Sequence, residues 1–133
     1  MWFAFITAMK KLVLCTFDPL LKKSLYGPLR DDGYSLDVID HPSDAVRLVL
    51  EDQYKAVILD SDGIGLNSID AAAVIKNVAP GIHVITIGQQ GTPHADFFLG
   101  RPVDISMLRD FLREIFSFAA GESSLKTEGR INI

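Results

Sequence analysis

The chain has 133 residues, 48% apolar and 23% charged, with 13 Lys and Arg against 17 Asp and Glu, a net charge of -4 and a pI near 5.2. That length fits one domain whose single core buries roughly two-thirds of the unfolded surface. The basic residues are scattered, so no basic face is available to neutralise nucleic-acid phosphates, and DNA or RNA binding is not expected. A single cysteine, Cys15, rules out an internal disulfide and a cysteine zinc cluster, and fits a reducing cytoplasm.

The opening MWFAFITAM is apolar but far shorter than the ~20 residues that span a bilayer, and it lacks a basic leader or a small-residue cleavage site. Neither export nor a membrane partner is expected. Residues 1–10 read as an apolar extension, or as sequence upstream of a start at Met9; in the sharper reading Trp2, Phe3, Phe5 and Ile6 cover an apolar patch. Residues 11–15, KLVLC, form an apolar run without a period of two, as expected of a strand covered on both faces. Asp18 then caps a helix opened by Pro19, with Leu20, Leu21, Leu25 and Leu29 as its inward stripe and Asp31-Asp32-Gly33 as its stop. Residues 34–39 alternate and predict a second strand, exposed on one side.

After His41-Pro42, Ser43 caps a helix in which Ala45, Val46, Val49 and Leu50 face inward. Residues 56–59 predict a central third strand, and 70–79 a small-residue helix ended by Pro80-Gly81. A fourth strand spans 83–87 and a fifth 96–99. The last helix, 103–118, turns Ile105, Leu108, Phe111, Leu112, Ile115 and Phe116 to one side. From about residue 119 to 133 apolar periodicity gives way to Gly, Ser and charge, which reads as a mobile tail.

Strand and helix alternate almost throughout residues 11–118, predicting a single doubly wound α/β domain with ligands at the carboxyl ends of its strands. One connection breaks the rule. Only Gln89 to Ala95, seven residues, separate Gly88 from Asp96, where a parallel crossover usually carries a helix. The fourth helix is therefore missing or replaced by a short loop. Seven extended residues reach roughly 23 Å, enough for a parallel fifth strand; Gly91 and Pro93 equally suit a hairpin and an antiparallel one.

The third strand ends in VILDSDG, residues 57–63, which places Asp60 at the carboxyl end of a buried strand. In the simplest reading Asp60 pairs with Arg101, Asp62-Gly63 is an ordinary turn and Asp18 an ordinary cap. Gly63-Ile64-Gly65 lacks what a phosphate loop requires. His41, His83 and His94 each sit beside a predicted strand end or loop, at no recognisable spacing from Cys15 or a serine, and read as surface or loop histidines.

Five strands in this order, an acid ending the third, and a basic residue followed by proline after the fifth resemble the receiver domain of bacterial response regulators. The resemblance implies a five-stranded, flavodoxin-like parallel sheet in the order 2-1-3-4-5. It also implies that Asp60 is the phospho-acceptor equivalent, with Asp62 two residues later where the family uses a backbone carbonyl on magnesium. The departures are as informative. Thr16 and Phe17 stand where the family has its metal-holding acidic pair, with Asp18 just after it. Gly88 stands where the family has the Ser or Thr switch, and Arg101-Pro102 replaces Lys-Pro. Magnesium is usually anchored by one or two carboxylates, and phosphoryl transfer depends on it. Asp18 and Asp62 are the residues left for a residual Mg2+ site.

The chain is thus expected to be a degenerate receiver, not an enzyme and without a cofactor, that signals by protein contact in a two-component or phosphorelay system. Its partner would be a histidine kinase or a downstream signalling protein. Alternatives are a working phospho-acceptor at Asp60 and a flavodoxin-like ligand or cofactor binder. Without a fourth helix, one face of strands four and five, including some of Val84, Ile85, Ile87, Phe97 and Leu99, is expected to be uncovered, suited to the amino-terminal segment, to a partner or to a homodimer.

Overall fold

The computed structural model describes residues 10–61, 67–88 and 94–119. In chain order they form β1 (Lys11–Cys15), α1 (Pro19–Asp31), β2 (Ser35–Ile39), α2 (Pro42–Glu51), β3 (Ala56–Asp60), α3 (Asn67–Val78), β4 (His83–Ile87), β5 (Phe97–Leu99) and α4 (Ile105–Ala119). The strands make one sheet in the order β2-β1-β3-β4-β5, and every pairing is parallel. The expected flavodoxin-like order is present. No described helix lies between β4 and β5, where residues 89–93 fall outside the described residues. No helix among the described residues is long and apolar enough to cross a membrane.

Two apolar layers sandwich the sheet. Leu12, Leu14, Ile58, Ile85, Ile87 and Leu99 face Leu21, Leu25 and Leu29 of α1 and Leu108, Leu112 and Ile115 of α4. On the other side Val13, Cys15, Val57, Leu59 and Val84 face Ala45 and Val49 of α2 and Ala71, Ala72 and Ile75 of α3. The central strands bury both faces, which is why their sequences lack alternation. Fully burying one such aliphatic side chain is worth about 1.5–3 kcal/mol.

The helix ends follow local chemistry. Asp18 caps α1 by accepting from the Leu20 backbone N–H at 3.0 Å. At the far end Gly33 takes φ 94°, a left-handed conformation that suits glycine. There the Tyr34 N–H reaches Leu29 O at 3.1 Å and the Gly33 N–H reaches Arg30 O at 2.9 Å, the two bonds of a Schellman motif. The cap of α2 is His41 rather than Ser43. Its imidazole accepts from the Ser43 N–H at 3.1 Å, so Pro42 occupies the first helical turn.

Two leucines assigned to inward stripes point out instead. Leu20 is 76% and Leu50 63% exposed, because the buried sets Leu21-Leu25-Leu29 and Ala45-Val49 already define faces narrower than the apolar count suggests.

The fifth strand is parallel, which excludes the hairpin. Asp96 fixes its start: the Asp96 N–H donates to Val84 O, and its carboxylate accepts from the Val84 N–H and from Lys76 Nζ of α3 at 2.8 and 2.9 Å. The uncovered face expected on β4 and β5 is not there. Val84, Ile85, Ile87 and Leu99 are buried and Phe97 partly so, because alternation splits them between two layers that α3 and α4 cover. Phe97 stacks on Phe111 of α4 with ring centroids 4.6 Å apart. Phe98, 39% exposed, is the large apolar side chain of β5 that reaches solvent.

The corrected helical faces are testable by chemical denaturation. Leu25→Ala should cost about 2–5 kcal/mol, whereas Leu20→Ala, five residues earlier in the same helix, should change stability by less than about 0.5 kcal/mol.

Candidate functional site

The carboxyl ends of β1 and β3 bring the site together. Leu14 pairs with Ile58 and Cys15 with Leu59 in register, so the residue after each strand pair, Thr16 and Asp60, continues the same alternation at the top of the sheet. Both are fully buried. Burying a carboxylate is expensive unless charge and hydrogen bonds compensate it.

Here they do. The Thr16 hydroxyl donates to Asp60 Oδ2 at 2.5 Å, and Arg101 Nη2 donates to Asp60 Oδ1 at 2.5 Å. The same threonine oxygen accepts the Asp18 backbone N–H at 3.0 Å. Arg101 Nη1 lies 3.5 Å from Asp18 Oδ2. Asp60, Thr16, Asp18 and Arg101 therefore close a ring of polar contacts. One guanidinium spans two carboxylates, a task its planar fork suits better than an ammonium would. Arg101 is joined to Pro102 by a cis peptide bond, and its side chain is 28% exposed.

Other site positions differ in their surroundings. Phe17 is 53% exposed. Gly88 is buried, donates its N–H to Leu99 O at 3.0 Å and has φ 155°, a region seldom adopted by residues with side chains. A hydroxyl-bearing residue would thus meet backbone strain at Gly88. Asp62 lies outside the described residues. Ser61, not singled out from the sequence, donates from its hydroxyl to Ile87 O at 2.7 Å and ties the end of β3 to β4. In the sequence Thr16 stands out only for the acid it lacks; the strand register, extended by one residue, sets its hydroxyl beside Asp60.

The donor set suits a metal poorly. Magnesium needs carboxylate oxygens that can turn to it. Both Asp60 oxygens are already engaged, and Asp18 Oδ1 is held by the α1 cap while Oδ2 faces Arg101. Among the described residues no group of three or more His, Cys, Asp or Glu could hold a metal ion. A cleft of about 500 Å³ opens beside the ring, between the start of α1 and the segment after β5, lined by Asp18, Leu20, Lys23, Arg101, Val103 and Ile105 among others.

No protein-family model and no curated protein matches the chain. Solved structures do. The signal receiver domain of an HD domain-containing protein from Pseudomonas fluorescens Pf-5 superposes over 86% of this chain and 92% of its own, at 16% identity and a TM-score of 0.76. The chain has the receiver-domain fold. The receiver likeness extends to the response regulator TrrA from Thermotoga maritima in complex with magnesium and beryllofluoride, at 18% identity over 80% of this chain and 99% of that one, TM-score 0.72. It extends also to a complex of the histidine kinase ThkA with TrrA, at 18% identity over 80% and 98%, TM-score 0.70.

Removing Arg101 should strip the buried Asp60 carboxylate of the Arg101 ion pair. Arg101→Met is expected to destabilise by about 3 kcal/mol, Arg101→Lys by less, and Thr16→Val by about 1–3 kcal/mol, read as shifts in the urea midpoint at constant slope. Next to the ring, burial first and then the charges of Asp40, Asp44 and Asp60 push the Cys15 thiol up to about 12. A raised thiol stays protonated at neutral pH and supplies no thiolate. Cys15 should therefore resist a maleimide in the native protein and react fully in denaturant.

Proposed function

We propose that this chain is a receiver-like signalling module of the two-component or phosphorelay kind, acting through protein contact without magnesium-dependent phosphorylation of Asp60. The observation that carries this reading is the ring at Asp60. A permanent cation, Arg101, and a neutral hydroxyl, Thr16, hold both oxygens of the carboxylate that would have to attack a phosphoryl group. Phosphoryl transfer needs charge neutralised on the oxygens being moved, usually by a metal held on neighbouring acids. Here Thr16 and Phe17 supply no such acids, and the backbone at Gly88 disfavours a hydroxyl that could follow a phosphoryl oxygen.

The module's role is then to be bound, not to catalyse. The receiver fold supports a protein partner, since one protein sharing it, TrrA, is seen in complex with a histidine kinase. The cleft beside Arg101, with exposed Leu20 and Phe17 at the adjoining start of α1, offers apolar area close to the ring. A kinase or a downstream signalling protein docked there would sense whether Arg101 stays on Asp60.

Incubation with acetyl phosphate and Mg2+, followed by intact mass measurement, should give no phosphoryl adduct. An adduct that disappears in Asp60→Asn would establish the working phospho-acceptor instead.

A further inference from the structure

The cleft beside the ring has the proportions of a small-molecule site. Its volume of about 500 Å³ falls inside the range of natural ligand pockets, roughly 300–1,000 Å³. Leu20 of α1, with Val103 and Ile105 after β5, gives it apolar walls, and Asp18, Lys23, Ser24 and Arg101 supply a few polar groups. Those polar groups are not equivalent. Asp18 already accepts the Leu20 N–H through Oδ1 at 3.0 Å and faces Arg101 Nη1 with Oδ2 at 3.5 Å. The Ser24 hydroxyl donates to Leu21 O at 3.2 Å, within its own helix. Lys23 differs. Among the described residues its ammonium has neither a hydrogen bond nor an ion pair, although the chain has 17 acidic residues against 13 basic ones.

We propose that this cleft binds a small organic carboxylate with an aliphatic tail. The anionic head lies against Lys23 and Arg101, and the tail lies on Leu20, Val103 and Ile105. A carboxylate matches the planar fork of a guanidinium. The Asp18–Arg101 contact of 3.5 Å is longer than a charge-assisted hydrogen bond of roughly 2.7–2.9 Å. An incoming carboxylate can therefore take Nη1 from Asp18 while Nη2 stays on Asp60. The tail covers apolar walls that an inorganic anion would leave wet, and an organic amine would bring its charge against Lys23. The inference does not depend on whether Asp60 accepts a phosphoryl group.

Hexanoate is a suitable probe, titrated into the full chain and followed by NMR on the methyl groups of Leu20, Val103 and Ile105. Saturable shifts are expected in the millimolar range, with hexanol and hexylamine at least several-fold weaker. Lys23→Gln, an exposed change, should weaken hexanoate several-fold. Lys22→Gln, the neighbouring lysine outside the cleft lining, should leave it unchanged. Absence of a saturable shift would overturn the proposal. Equal binding of hexanol would reduce the site to an apolar surface, and equal binding of hexylamine would remove the role of the cations. Equal losses in the two lysine variants would assign the effect to general surface charge, which also contradicts a built site.

Discussion

A carboxylate with no solvent access must be answered by charge or by hydrogen bonds, and the top of this sheet is arranged around that requirement. Asp60 ends β3 at a position its strand register fixes. Thr16 reaches it because β1 is in the same register, and Arg101 reaches it because β5 runs parallel and delivers the following segment to the same edge. Each contact depends on a different element. Asp18 links them a second time, capping α1 with one oxygen and facing Arg101 with the other.

A covalently attached cation differs from an exchangeable ion in one physical respect. A metal leaves and returns, so the site around it has two states whose balance a phosphoryl group can tip. A guanidinium leaves only by a side-chain swing that exposes a buried carboxylate, and breaking such a pair is strongly unfavourable. In the proposed reading the Arg101–Asp60 contact therefore holds one state, and any change must come from a partner that draws Arg101 into the neighbouring cleft. Shared fold alone does not decide between signalling by chemistry and signalling by contact; the residues at Asp60 favour contact.

Much of this was legible in the sequence because it is local or periodic. Unbroken apolar runs gave the buried strands, Asp18 with Pro19 gave the start of α1, and Asp32-Gly33 its end. What escaped was set by tertiary geometry. Leu20 and Leu50 are apolar enough for a stripe, but only the helices' placement shows that the stripe is already complete. His41 caps α2 through an imidazole, a less common choice than the serine two residues on. The expected bare face on β4 and β5 failed because alternation sends those side chains to two covered layers. At the site, identity was readable and contact was not. Asp60 and Arg101 stand out as charges in apolar surroundings, whereas the threonine hydroxyl between Asp60 and Asp18 becomes visible only when the strand register is extended past Cys15.

In the proposed reading, the hold of Arg101 and Thr16 on both Asp60 oxygens keeps a divalent ion from that carboxylate. The most direct test of this central claim is a magnesium titration followed on the side-chain carboxyl carbon of Asp60 by NMR. The account predicts a resonance that does not move through millimolar Mg2+ in the native protein. A saturable shift at Asp60, accompanied by release of the Arg101 guanidinium signal, would contradict it.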